Sequence, residues 1–187
     1  MDAQKKIKME NKISLKEIKI RPLSLNDLRL AKEFLDFINS LIEEDAQILV
    51  NKKSSLKEEK KWIKEVVKNI KKKKQIVLVA KDKNRVVGIT DIELKRGRQD
   101  HVGEFGISVR KEYRGMGLGK YLMKKVLSLA KKELGPRPKI VRLSVFSTNK
   151  IAQNLYKKMG FKIVAKVPKQ IQYKGKLVDE IIMIKKL

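Results

Sequence analysis

A glycine-rich stretch decides the fold of this chain: Val109-Arg110-Lys111-Glu112-Tyr113-Arg114-Gly115-Met116-Gly117-Leu118-Gly119-Lys120. An alternating apolar run, residues 102–109, precedes the glycines, and a helical pattern, residues 121–132, follows them. The stretch therefore predicts a strand, a glycine-rich turn and the first turn of a helix. Such a turn presents backbone N–H groups and the positive end of a helix dipole, which together suit a phosphate or pyrophosphate. Because glycine lacks a side chain, an anion can approach this backbone closely.

The composition limits the kind of protein that the chain can be. With 187 residues, 42% of them hydrophobic, it is long enough for one domain with a core. We expect a loose basic tail over residues 1–14 and a single domain over residues 15–187. The absence of cysteine, of a signal peptide and of a membrane-spanning apolar run predicts a cytoplasmic protein without disulfides. The lone histidine, His101, leaves no imidazole cluster, so we predict no metal site.

The formal net charge of +26 predicts attraction to anions such as nucleic acid, acidic proteins or a phosphorylated cofactor. A lysine-rich background, of the kind found in proteins from hot habitats, explains part of this charge. A nucleic-acid partner therefore remains an alternative that we do not favour.

Strand and helix patterns follow one another along the whole chain. Apolar alternation predicts seven strands, at residues 17–23, 75–80, 85–94, 101–109, 140–146, 161–167 and 177–184. Helical spacing predicts four helices, at residues 28–41, 56–72, 121–132 and 150–159.

Two signatures in this order of elements resemble a known family. Residues 114–119 match the pattern (Gln/Arg)-x-x-Gly-x-(Gly/Ala), and residues 149–161 match Asn-x-x-Ala-x-x-Leu-Tyr-x-x-x-Gly-Phe. Over residues 17–187 the chain resembles the GNAT superfamily of acyl-CoA N-acyltransferases. The resemblance implies an α/β (α+β) fold, with a mixed central sheet of about seven strands flanked by about four helices.

The resemblance also implies acetyl-CoA as the co-substrate. In this family the pyrophosphate lies on the backbone of the glycine loop, the pantetheine arm pairs with the preceding strand, and an asparagine hydrogen-bonds the cofactor. Asn149 has helix capping as its alternative role. The implied cofactor-binding residues are Ile107, Ser108, Val109, Arg114, Gly115, Met116, Gly117, Leu118, Gly119, Lys120, Asn149 and Tyr156.

Two residues take catalytic roles by the same resemblance. Tyr156 is expected to protonate the departing thiolate, and its alternative is a core aromatic. Glu104 is expected to take the proton of the amine, and its alternative is a structural carboxylate paired with Lys or Arg. Weaker candidates for this base are Asp91, Glu93 and His101. Ser144 stands where relatives that modify ribosomal N-termini carry a glutamate, so their particular mechanism is not expected here.

The implied function is N-acetyl transfer from acetyl-CoA to a primary amine, by direct attack through a tetrahedral intermediate. A protein lysine or N-terminus is favoured over a small amine, and the chain is expected as a monomer or homodimer. Acidic residues at 43–45, 91, 93, 104, 179 and 180 would border the acceptor cleft, or alternatively pair with surface lysines. The alternative function is a non-catalytic CoA-sensing or nucleic-acid-binding module, since a fold does not fix a function.

Overall fold

The computed structural model describes residues 17–187, so the expected tail at residues 1–14 lies outside the described residues. Within this range the strands are β1 (Lys19–Pro22), β2 (Gln75–Asp82), β3 (Arg85–Leu94), β4 (Val102–Val109), β5 (Ile140–Phe146), β6 (Lys162–Tyr173) and β7 (Lys176–Lys186). The α-helices in the same range are α1 (Ala31–Glu43), α2 (Leu56–Lys71), α3 (Leu118–Glu133) and α4 (Lys150–Lys158). None of the helices described between residues 17 and 187 is long and apolar enough to cross a membrane.

Local sequence signals fix the beginnings of the helices. The hydroxyl of Ser55 accepts the backbone N–H of Glu58, whose carboxylate accepts the backbone N–H of Ser55, so α2 begins at a capping box. A 3₁₀ turn, Leu25–Leu30, precedes α1 and begins at Ser24, where Asp27 completes a similar reciprocal cap. These caps satisfy N–H groups that a helix leaves without internal partners.

The strands form one mixed sheet in the order β1-β2-β3-β4-β5-β7-β6. One apolar cluster joins α1 and α2 to one face of the sheet, and a second joins α3 and α4 to the other face. We call these the α1/α2 face and the α3/α4 face. The expected α/β fold with seven strands and four helices is thus confirmed, and successive side chains of each strand point to alternate faces.

The two central parallel strands separate partway along their length. β4 and β5 pair only at Val102–Ile140, Gly103–Val141 and Glu104–Arg142. Beyond Glu104 and Arg142 the strands continue, to Val109 and Phe146, without pairing to each other. The sheet therefore opens into a wedge-shaped gap, which we call the split, with its closed end at Glu104.

The backbone of β4 presents an open edge to this split. The N–H of Arg110 donates to the carbonyl of Val87 at 2.9 Å, so this residue directs its backbone toward β3. Because backbone groups of a strand alternate between its two neighbours, Ser108 and Gly106 also face β3. The backbone groups of Phe105, Ile107 and Val109 accordingly point into the split.

Several element boundaries differ from those expected, and two of the differences have a clear local cause. α3 begins at Leu118 rather than at residue 121, because Gly117, with φ of 89°, stops the preceding turn and lets the helix begin directly after it. β6 continues to Tyr173 rather than ending at residue 167. Its pairing with β7 shifts register between Ile163 and Ala165 and again between Val167 and Ile171, which breaks the alternation that identifies a strand in a sequence.

Candidate active site

The glycine loop forms an open cradle at the beginning of α3. Gly115 and Gly117 have φ of 76° and 89°, values that favour glycine. No side chain caps α3 and no acidic residue stands in its first turn, so backbone N–H groups at Leu118–Lys120 remain without helical partners. A Cβ placed on Gly115 would meet no atom within 4 Å, so the loop has open space above its backbone. These features fit an anionic group.

The cradle lies at one side of the split. A Cβ on Gly119 would approach Leu155 Cδ2 of α4 at 3.7 Å and Ile107 Cδ1 of β4 at 3.8 Å. The guanidinium of Arg114 donates to the carbonyl of Val109 at 2.8 Å and pairs with Glu44 after α1. The anion cradle, the free edge of β4 and α4 therefore meet in one place.

Tyr156 approaches the split from the α3/α4 face. Its ring packs edge-on against Phe105, with centroids 6.1 Å apart, and contacts Phe161. Burial raises the pKa of Tyr156 to about 12, so the phenol keeps its proton at neutral pH. Among the described residues, no protein group hydrogen-bonds its hydroxyl. The side chain thus belongs to the core and also offers a free O–H group.

Glu104 marks the closed end of the split on the α1/α2 face. It lies directly opposite Glu93 of β3 and beside Arg142 of β5. Glu104 Oε2 lies 3.4 Å from Nζ of Lys95, yet this oxygen is buried and makes no hydrogen bond to the described residues. The Nε of Arg142 is also buried and makes no hydrogen bond to the described residues. Unsatisfied polar atoms of this kind are uncommon and mark positions that water or a ligand can occupy.

Asp91, on β3, lies opposite Gly106, two residues nearer to the wide end of the split than Glu104. A Cβ on Gly106 would come within 2.6 Å of Asp91 Oδ1, so the carboxylate covers this glycine. Burial raises the pKa of Asp91 to about 7, a hydrogen bond from Gln75 acts in the opposite direction, and the nearby charges of Glu93 and Glu104 raise it further. A carboxyl group with this pKa exchanges a proton near neutral pH.

The remaining sequence candidates occupy different positions. Asn149 caps α4, where its Oδ1 accepts the N–H of Ala152 at 3.1 Å, so the capping role is confirmed. Glu93 accepts from the Asn69 amide at 3.3 Å. His101 lies beyond the closed end of the split, where its carbonyl accepts the N–H groups of Lys139 and Ile140.

A cavity of about 460 Å³ opens on the α1/α2 face at the wide end of the split. Its walls come from the end of α1, the α1–α2 connection, the end of β5 and the β6–β7 hairpin. Tyr173 packs edge-on against Phe146, and its hydroxyl donates to the carbonyl of Asp45 at 2.9 Å. The hairpin and the α1–α2 connection therefore hold each other in place around the cavity.

The acidic residues expected at the cleft divide into two groups. Glu43 pairs with Lys53 at 2.7 Å and Asp179 pairs with Lys166 at 2.9 Å, as the surface-pairing alternative predicts. In contrast, Glu180 accepts a hydrogen bond from the hydroxyl of Ser144 on the α1/α2 face of β5. A carboxylate from β7 therefore stands beside Ser144.

Comparison with protein-family models identifies the architecture. The model described as "Acetyltransferase (GNAT) family" matches residues 36–161, which include the glycine loop, the split and Tyr156. The chain belongs to the acetyltransferase (GNAT) family. Acetyl-CoA is the co-substrate of this family.

Among individual proteins, the chain is similar to the L-amino acid N-acetyltransferase AaaT of Escherichia coli K12. The two are 34% identical over 103 residues, which cover 54% of this chain and 62% of that protein. The matched region thus spans less than two thirds of the relative.

Solved structures of GNAT proteins have the same fold. A GNAT-family acetyltransferase from Streptococcus pneumoniae superposes with a TM-score of 0.79 at 24% identity, covering 91% of this chain and all (100%) of the other. YncA from Salmonella typhimurium, solved with its cofactor acetyl-CoA, has a TM-score of 0.76 at 19% identity, with 91% and 94% covered. At these identities the likeness concerns the fold alone.

The residues of this GNAT chain fit acetyl-CoA on two structural grounds. The cradle of free N–H groups with open space above Gly115 suits a pyrophosphate, and the unpaired edge of β4 suits the amide groups of a pantetheine arm. The sequence did not reveal the Ser144–Glu180 contact, which depends on the pairing of β5 with β7. It did not reveal the cavity either, because the walls of the cavity come from segments far apart in the chain. The position of Asp91 had one signal, a glycine in the middle of a strand, which marks a close approach.

Proposed function

We propose that this protein transfers the acetyl group of acetyl-CoA to a primary amine by direct attack of the amine on the thioester. One observation carries the proposal. Tyr156 approaches the split from the α3/α4 face, whereas Asp91 and Glu104 line the α1/α2 face. A proton donor and a proton acceptor thus stand on opposite sides of the gap in which a thioester would lie.

The backbone and loop residues bind and orient the co-substrate. Free N–H groups at residues 116–120 hold the pyrophosphate, and Arg114 and Lys120 add positive charge. The β4 edge at Ile107 and Val109 pairs with the pantetheine arm. Because the backbone groups of Ser108 face β3, this residue contributes to cofactor binding only by holding β4 in place against β3. The Nδ2 of Asn149, whose Oδ1 caps α4, donates to the bound molecule.

The carboxylates on the α1/α2 face remove the proton of the incoming ammonium group. The sequence favours Glu104 for this role and gives Asp91 as a weaker candidate, and the pKa of Asp91, about 7, suits a proton acceptor. The negative charge of Glu104 is one of the causes that raise the pKa of Asp91. The neutral amine then attacks the carbonyl carbon, with the β4 N–H groups stabilising the oxygen.

Tyr156 completes the reaction at the other side. As the bond between carbon and sulfur breaks, the phenol gives its proton to the thiolate, and the amide product and CoA leave. The raised pKa of Tyr156 ensures that the proton is present at neutral pH.

The acceptor is an amine that reaches the split from the α1/α2 face. The sequence favours a protein lysine or a protein N-terminus, while the relative AaaT is named for L-amino acids. An α-amino group is common to a free amino acid and a protein N-terminus, so we favour the α-amine over the lysine side chain.

Release of CoA from acetyl-CoA, measured with a panel of amines and peptides, tests this function. We expect Tyr156→Phe to lower kcat about 100-fold, with the KM for acetyl-CoA changed little, because only the proton donor is lost. Tyr113→Phe is the matched control. Tyr113 is also buried, but its hydroxyl donates to Asp82 at 2.8 Å, outside the split, so this variant should keep its activity.

A non-catalytic module on the same fold is the second candidate. It predicts tight binding of acetyl-CoA without CoA release on any acceptor, or duplex binding that persists when CoA saturates the protein. Catalytic turnover that depends on the Tyr156 hydroxyl excludes it, because binding alone does not require this phenol.

A further inference from the structure

Half of the residues that line the cavity at the wide end of the split are apolar. The apolar residues among its walls are Ile42, Ala46, Ile48, Leu49, Val50, Phe146 and Ile171. Leu49 and Val50 are 70% and 50% exposed, although side chains of this kind generally avoid water. Its volume of about 460 Å³ lies within the range of small-molecule pockets.

A carboxylate stands between this cavity and the closed end of the split. Phe146, in the cavity wall, lies directly opposite Glu180 on β7, so their side chains share the α1/α2 face. Glu180 accepts from the Ser144 hydroxyl, which directs the carboxylate along β5 toward the closed end. Arg142 lies farther in that direction, beside Glu104, so on this face of β5 and β7 the carboxylate of Glu180 is nearer to Phe146 than the guanidinium of Arg142 is.

The ionic groups at the outer rim leave the cavity without a strong net charge. Asp45 and Lys174 line it and lie 3.9 Å apart, and both side chains are largely exposed. The other polar lining residues have neutral side chains: Asn51, Gln170, Gln172 and Tyr173. A cationic side chain entering the cavity would therefore lose hydration without gaining an unpaired carboxylate, whereas an apolar side chain would gain by burial.

We propose that the acceptor is an α-ammonium group adjacent to an apolar side chain, with the ammonium on Glu180 and the side chain in the cavity. This inference rests on the proposed acetyl transfer and specifies its substrate class. Glu180 binds and orients the acceptor before Asp91 and Glu104 remove its proton. The side chain fits the cavity only when the amine lies on the adjoining carbon, so a lysine side-chain amine is disfavoured.

Acceptor kinetics with purified protein and saturating acetyl-CoA provide the test. The acceptors are L-leucine, a peptide with N-terminal leucine, the same peptide with N-terminal serine, and Nα-acetyl-lysine amide. We expect kcat/KM for leucine-bearing acceptors to exceed the values for the other two about tenfold or more, because one apolar side chain gives discrimination of this size. Comparing free leucine with the leucine peptide distinguishes a free amino acid from a protein N-terminus.

Matched variants separate the cavity from general effects. Val50→Asp should raise the KM for the leucine acceptors about tenfold while the KM for acetyl-CoA stays constant. Val164→Asp changes a valine of similar exposure, 53% against 50%, on β6 outside the cavity lining, and should alter neither constant. Glu180→Gln should raise the KM for every α-amine acceptor about tenfold, since a charged hydrogen bond is lost.

The outcomes distinguish a failure of this inference from a failure of the proposed acetyl transfer on which it rests. Tyr156-dependent acetylation that prefers the lysine side chain or the serine peptide would overturn the inference and leave acetyl transfer in place. An unchanged acceptor KM in both Val50→Asp and Glu180→Gln would do the same. Absence of CoA release with every acceptor would overturn the proposed function together with the inference.

Discussion

At the scale of single residues, burial gives Asp91 a property that its sequence position alone does not predict. Its neighbours on the α1/α2 face include Val77, directly opposite on β2, and the polar residues Gln75, Glu93 and Glu104. A glycine lies beneath it. In water a carboxyl group loses its proton near pH 4, whereas burial raises the pKa of Asp91 to about 7. The protein therefore keeps a carboxyl group that exchanges protons near neutral pH.

This shift predicts a pH-dependent stability with a definite sign. Between the unfolded pKa, near 3.8, and the folded pKa, about 7, the folded protein binds more protons than the unfolded chain. The stabilisation from protonated Asp91 is thus complete below the lower pKa and is lost as pH rises through about 7. We expect the free energy of unfolding to fall as pH rises through this range. Asp91→Asn should reduce the slope of this fall by up to about 1.4 kcal/mol per pH unit. Urea denaturation at several pH values measures it.

Glu59 provides a control that separates the effect of a buried carboxyl group on stability from its effect on activity. Its carboxyl is also buried, and burial raises its pKa to about 7, but it lies in the first turn of α2. Glu59→Gln should change the stability slope in the same direction as Asp91→Asn. Only Asp91→Asn should alter the inflection near pH 7 in the profile of kcat/KM. Equal pH profiles for the two variants would remove Asp91 from the proton-transfer pathway.

At the scale of elements, the turn between β4 and α3 converts an ordinary helix beginning into an anion cradle. Its two glycines with positive φ direct the following N–H groups outward, and no acidic side chain competes for them. The position of this turn beside Ile107 and Leu155 connects the cradle to the split.

Gly115→Ala tests the cradle against a matched glycine. Gly115 and Gly97 have φ of 76° and 62°, and a Cβ on either would meet no atom within 4 Å. Each alanine should therefore cost a similar backbone strain, roughly 1–2 kcal/mol of stability. Only Gly115→Ala should weaken acetyl-CoA binding, about tenfold by calorimetry, because its methyl group enters the space above the loop. Equal affinities in the two variants would contradict the placement of the pyrophosphate.

The order of elements was predictable from the sequence because the relevant signals are local. Alternation identifies β2 and β3, and Ser55 with Glu58 marks the beginning of α2. β6 was predicted too short because its bulges break the alternation. The site was predictable where it depends on backbone, as at Gly115 and Gly117. The Glu180–Ser144 contact, the position of Asp91 over Gly106 and the cavity depend on how separate segments pack together, which spacing along the chain does not encode.

At the scale of the whole molecule, the split sheet and the net charge act on different reactants. The split arises because β4 and β5 pair over a short length and then separate, leaving a polar edge inside a folded core. The net charge of +26 attracts an anionic co-substrate over a long range and repels a cationic acceptor. The carboxylates on the α1/α2 face provide local attraction for the acceptor.

Salt should therefore change the two Michaelis constants in opposite directions. The screening length falls to about 10 Å at 0.1 M salt, so the long-range field weakens. We expect the KM for acetyl-CoA to rise with potassium chloride and the KM for a cationic acceptor, such as leucine amide, to fall. Steady-state kinetics measures both. A rise of both constants together would indicate a general effect of salt instead of the predicted electrostatic one.

The central claim is that acetyl transfer takes place in the split, between the phenol of Tyr156 and the carboxylates of the opposite face. A crystal structure of the protein with acetyl-CoA tests it most directly. We predict the pyrophosphate within hydrogen-bonding distance of the backbone N–H groups of residues 116–120, and the thioester between β4 and β5 with its sulfur beside the Tyr156 hydroxyl. A pyrophosphate bound elsewhere, or a thioester outside the split and away from Tyr156, would contradict the claim.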